Sequence, residues 1–152
     1  MIAKFVPAAA VAAVLALSAT SASAGSKYGT AEQAQDLATQ LIDIIDSGGI
    51  EAGVAAVHDQ SGPFQATNMG VHIFADSVIM ADSRDPELET VSYAGVADLN
   101  GVDFWEGMVT AANGNQNFET RWYDYDDDTQ EYTYNCHSQW QTEGSVMVWI
   151  CR

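Results

Sequence analysis

The chain has 152 residues, with 21 acidic against five basic side chains, a formal charge of −16 and 47% hydrophobic residues. So negative a chain repels nucleic-acid phosphates and anionic lipid head groups, which removes both as expected partners. Its length is that of one ordinary domain.

Met1-Ile2-Ala3-Lys4 sets one positive charge ahead of an uncharged, almost wholly apolar run over residues 5–17, and small residues follow up to Ala22-Ser23-Ala24. That is the pattern of a cleavable signal peptide over 1–24. The apolar run is well short of the roughly 20 residues needed to cross a bilayer. Cleavage leaves residues 25–152 as a single periplasmic or secreted domain with no membrane insertion. It removes Lys4 and no acid, so the charge moves from −16 to −17.

After a short lead expected to be mobile, Thr30-Ala31-Glu32-Gln33 has the form of a capping box, with Thr30 as N-cap. Ala34, Leu37, Ala38, Leu41, Ile42 and Ile45 recur at helical spacing and define one apolar face. Ser47-Gly48-Gly49 ends this long helix. A second, short helix is read over 50–57. The period then changes: Val71-His72-Ile73-Phe74 and Val78-Ile79-Met80-Ala81 read as a hairpin turning at Ala75-Asp76-Ser77. Residues 83–99 carry turn signals and are read as an irregular crossing. Asp103-Phe104-Trp105-Glu106 opens another helix, stopped at Asn113-Gly114. Residues 118–125 read as a third strand, and the acidic run 124–131 as a solvated hairpin loop.

Residues 132–141 and 146–151 read as the last two strands, with a two-residue turn centred on Glu143-Gly144. Facing residues then have numbers summing to 287, which sets Cys136 opposite Cys151 with Cα atoms about 5 Å apart, within disulfide range. No C-x-x-C or second cysteine pair competes, so a structural disulfide is expected. The order of elements gives an α+β domain with a five-stranded antiparallel sheet.

Several segments together carry a family likeness. Tyr28-Gly29-Thr30-Ala31-Glu32, Ser61-Gly62-Pro63-Phe64, the hairpin Phe74-Ala75-Asp76-Ser77-Val78-Ile79-Met80-Ala81 and the Asp85-Pro86-Glu87-Leu88 loop resemble bacterial single Cache domains. So do Asp98-Leu99-Asn100-Gly101-Val102-Asp103-Phe104 and Thr120-Arg121-Trp122. The resemblance spans nearly all of residues 25–152. It implies a PAS-like sensor fold, with the long N-terminal helix packed on one face of the sheet and a small-molecule pocket, often for an organic acid, on the other. It also implies a role outside the inner membrane, acting through a separate membrane receptor or kinase. The chain departs from the family pattern in three ways: no transmembrane helix or signalling domain, Asp76-Ser77 where Asp-Gly is common, and the hairpin cysteines.

Arg121, between aromatic neighbours, is a candidate clamp for a ligand carboxylate. Strand alternation puts Arg121 and Trp122 on opposite faces. Tyr93, Trp105, Trp122 and Tyr134 are candidate pocket walls with polar tips, and His72 a candidate donor. Arg84 reads as a solvated loop residue. His58, His72 and His137 lack metal-ligand spacing, and the acidic run lacks an EF-hand's glycine and bidentate acid, so neither metal nor cofactor is expected. There is no G-x-S-x-G, phosphate loop or H-E-x-x-H, which argues against an enzyme. The expected function is binding of a small molecule, a carboxylate by preference. The alternative is a protein-interaction or scaffold module of the same fold without a ligand.

Overall fold

The structure is a computed structural model and describes residues 26–152; the signal peptide read over 1–24 lies outside the described residues. Helix α1 (Ala31–Gly48) begins at the expected capping box: Gln33 N donates to Thr30 Oγ1, and Thr30 N donates to Gln33 Oε1. Helix α2 (Ile50–His58) follows, and then a single turn, α3 (Pro63–Ala66), which the sequence reading missed. Strands β1 (Gly70–Ala75) and β2 (Val78–Asp82) form the first hairpin. A 3-10 turn at Pro86–Leu88 interrupts the irregular crossing, and helix α4 (Phe104–Gly114) starts on Asp103, whose carboxylate accepts from Glu106 N at 2.9 Å. Strands β3 (Asn117–Asp124), β4 (Asp127–Trp140) and β5 (Val146–Cys151) complete the chain. Among the described residues no helix is long and apolar enough to cross a membrane.

All strand pairs are antiparallel, in the order β2-β1-β5-β4-β3. The period-2 alternation of strands sorts the sheet into two faces. Val71, Ile73, Val148 and Ile150 point to the face covered by α1 and α2, where Leu41, Ile42, Ile45 and Val57 are also buried. Each such side chain stabilises the fold by about 1.5–3 kcal/mol on leaving water. His72, Phe74, Tyr134, Cys136, Trp149 and Cys151 point to the other face, which α4 covers only in part. The central strand β5 is buried on both faces along its whole length.

Three readings need correction. The acidic run is not all loop: only Tyr125 and Asp126 form the turn, β4 begins at Asp127 opposite Asp124, and residues 128–130 bulge out, exposed, before Glu131 faces Tyr123. Past the last residue of β4, Gln141 N still donates to Val146 O at 2.8 Å, so four residues, 142–145, form the loop proper, closed by Gly144 N donating to Gln141 O at 2.8 Å, with Gly144 at φ 73°. Growing the loop by one residue on each side leaves the register unchanged, so Cys136 still faces Cys151. Their disulfide spans a Cα–Cα distance of 4.0 Å, shorter than expected. The adjoining Asn135 and Arg152 exchange both backbone hydrogen bonds, which makes the cysteines a close, non-hydrogen-bonded pair. Finally, the lead before α1 is docked. Tyr28 is buried and rests against Tyr125, Tyr132 and Tyr134.

Candidate functional site

A cavity of about 340 Å³ opens on the partly covered face of the sheet. Its floor is the sheet itself: His72 from β1, Trp149 and Cys151 from β5, Tyr134 from β4, and Thr120 and Trp122 from β3. The first turn of α4 contributes Phe104, and the crossing after β2 contributes Arg84, Leu88 and Tyr93. The end of β3 and the turn after it close one side with Asp124 and Tyr125. The walls are largely aromatic. Phe104 meets Tyr93, Trp122 and Trp149 edge-on with centroids 5.5, 5.3 and 5.9 Å away. Gly70, beside His72, is required here, because a Cβ on it would collide with the Tyr125 hydroxyl.

The polar groups divide into those already satisfied and those left open. Four carboxylates line the cavity: Asp82, Asp85, Asp124 and Asp128. Buried Asp82 accepts from Arg84 N and Asp85 N, both at 2.9 Å, and lies 3.4 Å from His72 Nε2. Asp85 caps the 3-10 turn by accepting from Glu87 N. Asp124 accepts from Lys27 Nζ at 2.7 Å, from the Tyr28 hydroxyl at 2.5 Å and from Asp126 N at 2.9 Å. Lys27 and then Tyr28 hold the Asp124 carboxyl down at about 2. In the same network Lys27 is raised, first by Asp124. Burial pushes the Tyr93 hydroxyl up to about 12 and carries Tyr125 and Tyr134 above the usual tyrosine range, so all three stay neutral donors at pH 7. Tyr134 spends its hydroxyl on the turn, donating to Tyr123 O and accepting from Tyr125 N.

One donor among the lining groups is both fully buried and unpaired. Trp149 is buried, lines the cavity, and its indole Nε1–H has no hydrogen-bond partner. Such a group costs about 1–3 kcal/mol when it stays unpaired, so buried polar atoms are nearly always satisfied. Ser138 Oγ, directly across from it on β4, is also unpaired, but Ser138 does not line the cavity.

Of the residues singled out from sequence, His72, Tyr93, Trp122 and Tyr134 are brought together in this cavity. Trp105 and Arg121 are not. Arg121 lies on the opposite side of β3, half exposed, and pairs with Glu131 at 2.5 Å. Trp105 is half-buried between Phe74 of β1 and Trp140 of β4, outside the cavity. Arg84, read as a solvated loop residue, lines the cavity instead, its guanidinium 5.2 Å over the Tyr125 ring. Trp149, Phe104, Asp82 and Tyr125 went unnoticed. For Trp149 a signal existed, since it is two residues from Cys151 and shares its face.

No family model matches the sequence, and no curated protein does either. The fold, however, recurs in solved structures. A methyl-accepting chemotaxis protein from Vibrio parahaemolyticus superposes with a TM-score of 0.59 at 11% identity, over 80% of this chain and 86% of that one. A Cache chemosensory domain, described for its recognition of carboxylic acids, gives 0.62 at 12% identity, over 80% and 90%. The periplasmic sensor domain of a chemotaxis protein gives 0.60 at 12%, over 80% and 88%. The expected α+β architecture, with a long N-terminal helix on a five-stranded antiparallel sheet, is thus the fold of Cache sensor domains.

Proposed function

We propose that this chain, with the fold of Cache sensor domains, binds a small organic acid in the aromatic cavity and reports that state to a separate membrane partner. The observation that carries the reading is Trp149, which lines the cavity and whose buried Nε1–H has no partner, among polar groups that are largely spoken for. Three of the four lining carboxylates already hold donors. None of these acceptors is within reach of Trp149 Nε1, and a ligand carboxylate would supply one there. Arg84 adds positive charge at the rim, and the aromatic walls suit a short apolar body behind the carboxylate. The comparison structure described for carboxylic-acid recognition has the same fold, which adds support by analogy only.

A ligand shifts a conformational equilibrium only by its unequal affinity for the two states. Lys27 and Tyr28 tie the segment before α1 to the cavity's turn, so this segment is well placed to register such a shift. The test is a thermal-shift screen of residues 25–152, oxidised, against acetate, propionate, pyruvate, succinate, amino acids, amines and divalent cations. A saturable rise in melting temperature confined to carboxylates is the expected result. A rise with amines alone would reassign the cavity to its acidic residues. No rise with any compound would turn the reading to an interaction module without a ligand.

A further inference from the structure

We infer that Asp126 is a built-in competitor for the ligand carboxylate, holding the cavity's guanidinium and setting the threshold for binding; this rests on the carboxylate reading above. Arg84 lies two residues past the end of β2, and its backbone is fixed because Asp82 accepts from both Arg84 N and Asp85 N. Its side chain is therefore aimed along the cavity rim, stacked over Tyr125 and 6.0 Å from the Tyr28 ring. There Nη2 donates to Asp126 Oδ1 at 3.0 Å. Asp126 does not line the cavity. It reaches over from the two-residue β3–β4 turn, and its side chain is 57% exposed.

This arrangement suits exchange. An arginine presents a planar fork that takes a carboxylate in bidentate fashion, and both of its forks use Nη2, so a ligand seeking that grip competes with Asp126 for it. An exposed ion pair holds weakly, which makes displacement feasible. Once displaced, Asp126 keeps other partners, because Lys27 Nζ and the Tyr28 hydroxyl each lie 3.3 Å from its Oδ2. The released carboxylate is therefore not left unpaired. Ligand entry would move the turn from the rim towards the segment preceding α1.

Asp128 provides the control. It lines the same cavity and carries the same charge, while the ion pair of Arg84 is made with Asp126. Dissociation constants for acetate, propionate, pyruvate and succinate would be measured by calorimetry at pH 7 on wild type, Asp126→Asn, Asp126→Ser and Asp128→Asn, each first shown to melt cooperatively. Removing an exposed pair of this kind should tighten binding about two- to fivefold in both Asp126 variants. Asp128→Asn should change affinity by less than half as much. Binding by the Asp126 variants alone would equally support the competitor, with a higher threshold. Asp126 variants equal to wild type, or Asp128→Asn tightening binding as much, would overturn it while leaving carboxylate binding intact. Acids that bind none of the four proteins would remove the carboxylate reading and the competitor with it.

Discussion

Replacing Trp149 by phenylalanine separates a ligand-binding donor from a packing residue, because the two roles predict opposite consequences. In the free protein the substitution removes a buried N–H that has no partner, which recovers about 1–3 kcal/mol. The smaller ring leaves a void in a site buried against Phe104, Phe118 and His72, at a cost of about 1 kcal/mol. The two effects nearly cancel, so the melting temperature should stay within a few degrees of wild type or rise. With ligand present the balance changes. A hydrogen bond to a charged acceptor is worth about 1.5–3 kcal/mol, so losing it weakens binding roughly 10- to 150-fold. Thermal melts and calorimetry with the carboxylate giving the largest wild-type shift measure both quantities. Trp105→Phe, outside the cavity, should leave affinity unchanged. If Trp149→Phe binds as tightly as wild type, the indole is not a ligand donor and the observation carrying the proposed function falls.

Two further outcomes follow from the same contacts. Cys136 and Cys151 are both fully buried and 15 residues apart in sequence, a loop length for which the crosslink stabilises by about 3 kcal/mol. Protein reduced in urea and refolded under reductant should melt about 11 °C lower than oxidised protein; a difference under 3 °C would show that the register holds without the bond. Asp124 has a depressed carboxyl, so its contribution is present above the ordinary carboxylate range and disappears as pH falls from about 4 through about 2. Urea midpoints should drop across that window, and Asp124→Asn should flatten the profile there; identical slopes in both proteins would contradict the role given to the Lys27–Tyr28–Asp124 contact.

The parts of the fold legible in the sequence are those whose causes are local. The box at Thr30 and Gln33 is a pair of hydrogen bonds within four residues, and the helix it opens buries the apolar stripe that its spacing announces. The Cys136–Cys151 pairing was legible because a hairpin centred on Glu143-Gly144 has the same register with two loop residues or four. The start of β4 was not legible. Aspartate is a poor strand former, and Asp127 joins the sheet only through its pairing with Asp124 across the turn. Lys27 and Tyr28 gave no local signal either, since their partner Asp124 is about a hundred residues away.

The site was half legible for a related reason. Alternation correctly parted Arg121 from Trp122 but carries no information about which face receives cover; that depends on where α4 and the crossing after β2 come to rest. Trp149 was hidden by its strand. Val146-Met147-Val148-Trp149-Ile150-Cys151 is apolar throughout because β5 is central and buried on both faces, so it shows no alternation to read. The disulfide holds the missing information. It fixes Cys151 on the face of Tyr134, and two residues back along β5 the same face carries Trp149. A one-residue slip of β5 would turn Trp149 towards the helices and bring Val148 or Ile150 to the cavity floor. The crosslink therefore agrees with the β1 and β4 pairings in fixing the register that sets Trp149 in the cavity floor, where the proposed ligand would meet it.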